Sequence, residues 1–130
     1  MQITLEADYA LRCMVYLKGR GERLSVLGEI SSATRIPPAF LSKILQKLIK
    51  GGLVLSAKGK NGGFRLAGDP GSVSVYDIMR AVCGGNVLKE VCGRPRNLCK
   101  GIKTCKIHLV WRDLCASVRA VLESRKLSGL

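Results

Sequence analysis

Cys92, Cys99, Cys105 and His108 follow the pattern Cys-x6-Cys-x5-Cys-x2-His, three soft thiolates and an imidazole within seventeen residues. Thiolates so arranged select zinc, copper(I) or iron-sulfur clusters. Structural zinc sites prefer tight Cys-x2-Cys knuckles, which this chain lacks. Cluster sites spread their cysteines along a longer loop, so the spacing favours a cluster. A disulfide-bonded or metal-free loop is the plainer alternative, and six cysteines in a reducing compartment suit ligands and buried thiols better than a disulfide framework. Cys13, Cys83 and Cys115 each lie among apolar neighbours on an expected helix and read as small buried hydrophobes.

A second chemistry is carried by charge. The 22 Lys and Arg against 9 Asp and Glu give a net charge of +13, which points to a polyanionic partner. Residues 30–68 contain no acid, yet hold Arg35, Lys43, Lys47, Lys50, Lys58, Lys60 and Arg65. A randomly solvated basic surface does not explain that segregation. An anionic membrane fits less well than nucleic acid, because no exposed aromatic belt accompanies the lysines. The first residues lack the basic and apolar regions of a signal peptide, and no stretch reaches the length of a transmembrane span, so the expected location is cytoplasmic.

The elements that must position these groups follow from periodicity. An amphipathic helix is expected over 5–18, with Leu11, Met14, Val15 and Lys18 at helical spacing, Ala10 and Leu17 widening the stripe, and Gly19 and Gly21 ending it. A short helix over 25–32 takes Ser25 as its N-cap. The third, over 38–50, has Pro38 in its first turn and two faces: Leu41, Ile44, Leu45 and Leu48 on one, Lys43, Gln46, Lys47 and Lys50 on the other. Strands over 53–56 and 63–66 then flank a basic, glycine-rich tip. Ser74 and Asp77 form a capping box opening a fourth helix. Residues 89–106 lose apolar periodicity and read as a loop, before a last helix over 107–126.

Three short helices followed by a hairpin is the order of a winged helix-turn-helix. The expected fold is therefore mostly α, with a two-stranded β wing, a cysteine loop and a long C-terminal helix. Residues 1–70 form the winged-helix region and 71–130 the loop and last helix of one domain. On this reading Ser42, Lys43, Gln46 and Lys47 face double-stranded DNA in the major groove, since Gln pairs adenine bidentately and Lys suits guanine or phosphate. Lys58, Lys60 and Asn61 at the hairpin tip approach the adjacent minor groove.

These residues together resemble the bacterial iron-sulfur cluster regulators of the IscR type and their nitric-oxide-sensing relatives of the NsrR type. The resemblance covers nearly the whole chain. It rests on Asp8-Tyr-Ala-Leu-Arg12, Lys50-Gly-Gly-Leu-Val54, Lys58-Gly-Lys-Asn-Gly-Gly-Phe64, the cysteine loop and His108-Leu-Val-Trp-Arg-Asp-Leu114. It implies a homodimer built on the last helix through Val110, Trp111, Leu114, Val118, Val121 and Leu122, reading a palindromic operator. It also implies a 2Fe-2S cluster on Cys92, Cys99, Cys105 and His108. NsrR-like members instead take an acid from the partner's first helix, and Asp8 stands at that position; the run after His108 is IscR-like and favours the histidine. The first cysteine interval is six residues where the family has five, which leaves a 4Fe-4S cluster open.

Two other classes compete. An iron-sulfur electron carrier would dock its basic surface on an acidic partner and needs no helix-turn-helix. A zinc-stabilised nucleic-acid-binding module would keep the metal purely structural. An enzyme is not expected, because no paired carboxylates, activated nucleophile or phosphate-binding loop is present.

Overall fold

The structure, a computed structural model, describes residues 3–85, 87–88, 101 and 104–130. Helix α1 (Leu5–Arg20) begins where the Thr4 hydroxyl accepts a hydrogen bond from the Ala7 amide. Its buried face is Ala7, Ala10, Cys13, Met14 and Leu17, so Val15 and Lys18 of the expected stripe lie outside the core. Gly19 continues the helix. Gly21, at φ 58°, stops it two residues later than expected.

Helix α2 (Leu27–Thr34) has Val26 at its N-cap, not Ser25. Ser25 instead exchanges two backbone hydrogen bonds with Phe64 (2.9 and 2.8 Å), an isolated antiparallel bridge to the wing. This contact explains Gly63, whose φ is 153° and where any Cβ would lie 2.7 Å from the Ser25 carbonyl oxygen. Arg35 joins α2 to α3 with φ 57°, a left-handed conformation that is uncommon for a non-glycine residue.

Helix α3 (Pro38–Lys50) has its expected bounds and buries Leu41, Ile44, Leu45 and Leu48. It ends in a Schellman motif: the Leu53 amide donates to the Leu48 carbonyl (2.9 Å) and the Gly52 amide to that of Ile49 (3.0 Å), with Gly52 at φ 74°. The Leu53 amide is thereby used by the helix, and β1 (Val54–Ala57) starts one residue later than expected. It pairs antiparallel with β2 (Gly63–Leu66), Val54 opposite Leu66 and Ala57 opposite Gly63.

Beyond a 3-10 turn at Pro70–Ser72, α4 (Val75–Val82) carries the expected capping box. The Ser74 hydroxyl accepts from the Asp77 amide (3.1 Å), and the Ser74 amide donates to the Asp77 carboxylate (2.9 Å). That amide bond, first among the causes, holds the Asp77 carboxyl below its ordinary range. Ser74→Ala is expected to cost about 1 kcal/mol in denaturant unfolding. Because the folded-state pKa of Asp77 is depressed, its contribution is full above the unfolded carboxylate value and fades as pH falls through the folded one; Asp77→Asn should flatten that acid dependence.

The main core joins α1, α2 and α3 to the wing base, α4 and Leu127. A second cluster, Ala7, Val75, Met79 and Val87, has Leu122 packed against it. Helix α5 (Lys106–Ser124) has no buried residue among those described. It ends two residues before the expected bound because Arg125 turns extended (φ −87°, ψ 110°) and its carbonyl accepts the Val75 amide (2.9 Å). Leu127 then donates to the Val73 carbonyl (2.8 Å) and buries its side chain completely, a tail contact not evident in the sequence.

Candidate nucleic-acid interface and cysteine-loop site

Burying Leu41, Ile44, Leu45 and Leu48 forces the opposite side of α3 outward, and Ser42, Lys43 and Gln46 are all exposed there. Pro37 supplies no side-chain cap, so the first α3 amides remain available to an outside acceptor. Lys47 differs from its neighbours. Its ammonium donates to Glu6 of α1 (2.5 Å) and to the Val82 carbonyl at the end of α4 (3.3 Å). On the same flank, Phe40 meets Tyr9 of α1 edge to face, ring centroids 6.3 Å apart. All four α3 residues expected to read DNA are therefore exposed, and one of them, Lys47, is also engaged with α1 and α4.

At the wing, Lys58, Lys60 and Asn61 are exposed on a turn closed by the Gly62 amide donating to the Gly59 carbonyl (3.0 Å). A Cβ at Gly62 would lie 2.2 Å from the Ala57 carbonyl oxygen, so the tip tolerates no side chain there. Gly62→Val should therefore disrupt the tip, observable as loss of the tip amide resonances' native shifts with the helical spectrum kept. Arg65 at the wing base is tied to Glu22 (2.9 Å). Arg35, a cation of the same acid-free segment, is exposed in the turn before α3.

Of the expected metal ligands, Cys92 and Cys99 lie outside the described residues. Cys105 is the N-cap of α5 and His108 stands three residues on, so both are on one face of its first turn. Among the described residues, the buried His108 Nδ1 atom has no hydrogen-bond partner. An orphaned imidazole nitrogen one turn from a half-buried thiol is a donor set that fits a thiophilic metal or a cluster iron. Among the described residues no three His, Cys, Asp or Glu side chains gather as a metal site. Asp8, the alternative ligand, is half-exposed on α1 with its carboxylate bound by Arg12 (2.8 Å). Cys13 is fully buried and burial pushes its thiol up to about 12, which makes it inert as a thiolate ligand.

The expected dimer face divides. Val110, Trp111, Leu114 and Val121 are exposed on α5, Val118 is half-buried, and Leu122 packs inward on the second cluster. Arg119 on the same helix stacks over Tyr76 of α4, 4.8 Å from the ring centre, holding α5 to α4. No helix among the described residues is long and apolar enough to cross a membrane.

Comparison with known proteins agrees with this architecture. Residues 3–130 match the Rrf2 family, described as iron-dependent transcriptional regulators. The chain is 30% identical to the HTH-type transcriptional regulator NsrR of Shouchella clausii over 100% of its own length and 88% of the relative's. Among solved structures it is similar to T. potens IscR (TM-score 0.76, 25% identity, 98% of this chain and 84% of that one). It is similar also to CymR, the global cysteine regulator of B. subtilis (TM-score 0.75, 26% identity, 98% of this chain and 94% of that one). The winged helix, the outward basic face and a match spanning the described fold lead to one assignment: the chain belongs to the Rrf2 family and is a DNA-binding transcriptional regulator, not an enzyme.

Proposed function

We propose that this regulator binds a palindromic operator in the cytoplasm as a homodimer, and that an iron-sulfur cluster on Cys92, Cys99, Cys105 and His108 sets its affinity. The observation that carries the sensor reading is the buried His108 Nδ1, one turn from Cys105 and without a hydrogen-bond partner among the described residues. When bound, a cluster supplies a redox-active centre whose loss a cell can register, and a 2Fe-2S type matches three thiolates and one imidazole better than 4Fe-4S. His108 is favoured over the partner's Asp8 because the run that follows the histidine is IscR-like, and in this chain Asp8 Oδ2 accepts from Arg12 (2.8 Å). A protonatable imidazole in the fourth position makes the site easier to lose than a fourth thiolate, which suits a sensor.

In the chain itself, α3 presents Ser42, Lys43 and Gln46 to the major groove while the wing sets Lys58, Lys60 and Asn61 against the backbone beside it. The α5–α4 contact links the ligand-bearing helix to the core on which α3 rests. A ten- to hundred-fold change in affinity needs only about 1.4 to 2.7 kcal/mol of differential stabilisation between two states. Lys43→Ala should cost about 1–3 kcal/mol of specific binding, and Lys60→Ala should reduce the salt slope of binding by about one phosphate contact per subunit. Titrations over 50–200 mM salt check both; unchanged slopes and affinities would remove the proposed reading face.

The likeness to a cysteine regulator favours a second reading, in which the same DNA-binding frame answers a signal other than a cluster. Metal and sulfide analysis of protein reconstituted without oxygen separates the two: iron and sulfide in near-equal amounts support the first, and their absence the second.

A further inference from the structure

Lys47 lies where three helices meet. It belongs to α3, it reaches Glu6 in the first turn of α1, and it also donates to Val82, the last residue of α4. The carbonyls at a helix end lack intrahelical partners, and a cation near a C-terminus is favourable there. Past Val82, the Cys83 and Gly85 amides turn back to Met79 and Arg80 (2.8 and 3.2 Å), so neither takes the Val82 carbonyl. Gly84 and Gly85 both have positive φ (68° and 87°), and the sequence then runs to Cys92. On the α1 side, Glu6 is two residues from Asp8.

The lysine thus ties the recognition helix to the root of the cysteine loop and to the start of α1. Its charge is already met by Glu6. The side chains are 45% and 36% exposed, and an ion pair so placed adds little to overall stability. A weak tie among three rigid helices suits transmission better than cohesion: a shift of the α4 end removes one of its two partners and alters how α3 is held.

Resting on the sensor reading above, we infer that Lys47 is a positioning residue and not a DNA contact: it passes the state of the cysteine loop from the α4 end to the recognition helix. Phe40, two turns earlier on the same flank, meets Tyr9 of α1 edge to face.

The test uses the full chain, with reconstituted cluster and after chelation, on a duplex selected from a random-sequence pool by the wild-type protein. The variants are Lys47→Met, which keeps the aliphatic stem, Glu6→Gln and Lys47→Arg. Expected for Lys47→Met and Glu6→Gln is a loaded-to-chelated affinity ratio within about twofold of unity, where wild type shows tenfold or more. The salt slope of the chelated protein stays at the wild-type value, and Lys47→Arg restores the ratio. A slope lower by about one per subunit in Lys47→Met makes the residue a phosphate contact and overturns the inference. An unchanged ratio in Lys47→Met overturns it too, with the sensor reading intact. A wild-type ratio near unity removes the sensor reading and this inference with it.

Discussion

Leu114→Glu yields a folded monomer that binds the selected operator about 10²–10⁴-fold more weakly than the wild type. The physical reason is the apolar stripe that α5 leaves exposed among the described residues. Ile107, Trp111, Leu114, Val118 and Val121 recur at alternating intervals of four and three, the heptad spacing of paired helices. Ile107, Trp111, Leu114 and Val121 are exposed in the single chain, Ile107 by 62% and Val121 by 56%. In the proposed homodimer this aligned apolar surface would be covered by a second copy of the helix. A carboxylate at Leu114, the middle of the stripe, has to be desolvated in the pair at a cost of several kcal/mol, yet costs nothing in a free helix. Losing the pair removes the effective concentration that one bound head gives the other. Sedimentation equilibrium and operator titration read the two effects together. A Leu114→Glu protein still dimeric at micromolar concentration would show that α5 is not the interface.

Cys105→Ser is the second large effect. The variant should fold with wild-type helical content, because Cys105 is only half-buried and caps α5 without a side-chain hydrogen bond. It should nevertheless take up less than about a tenth of the iron and sulfide of the wild type, since an alcohol is a far poorer ligand for a cluster than a thiolate. Its DNA affinity then equals that of chelated wild type under all conditions. His108→Ala should behave more mildly, with assembly retained and cluster loss faster by about 10–100-fold, as befits a fourth and weaker ligand. Iron-loaded Cys105→Ser with an unaltered visible spectrum would exclude Cys105 from the ligand set.

The parts of this fold that sequence made legible are those where one local rule acts alone. Helix α3 has a full apolar stripe, a proline at its start and two glycines at its end, and its bounds are as expected. The capping box of α4 is equally local, with Ser74 and Asp77 three residues apart. Ser25 shows the opposite case: serine before a helical stretch reads as a cap, but a pairing with Phe64, 39 residues away, takes its backbone for the wing. The second engagement of Lys47 is non-local in the same way. Periodicity places it on the outward stripe, where it is exposed, and only the packing of α1 and α4 on α3 reveals that its long, flexible side chain also reaches Glu6 and the Val82 carbonyl. The tail contact of Leu127 likewise depends on α4 being in place. The spacing of the candidate ligands stands in the sequence itself, whereas a buried His108 Nδ1 with no hydrogen-bond partner among the described residues is a property of packing.

The most direct test takes one anaerobic preparation, reconstituted with iron and sulfide, and measures its affinity for the selected operator before and after chelation at constant salt. The account predicts a visible cluster spectrum and an affinity that changes at least tenfold when that spectrum is bleached. The same affinity in coloured and bleached protein would contradict it.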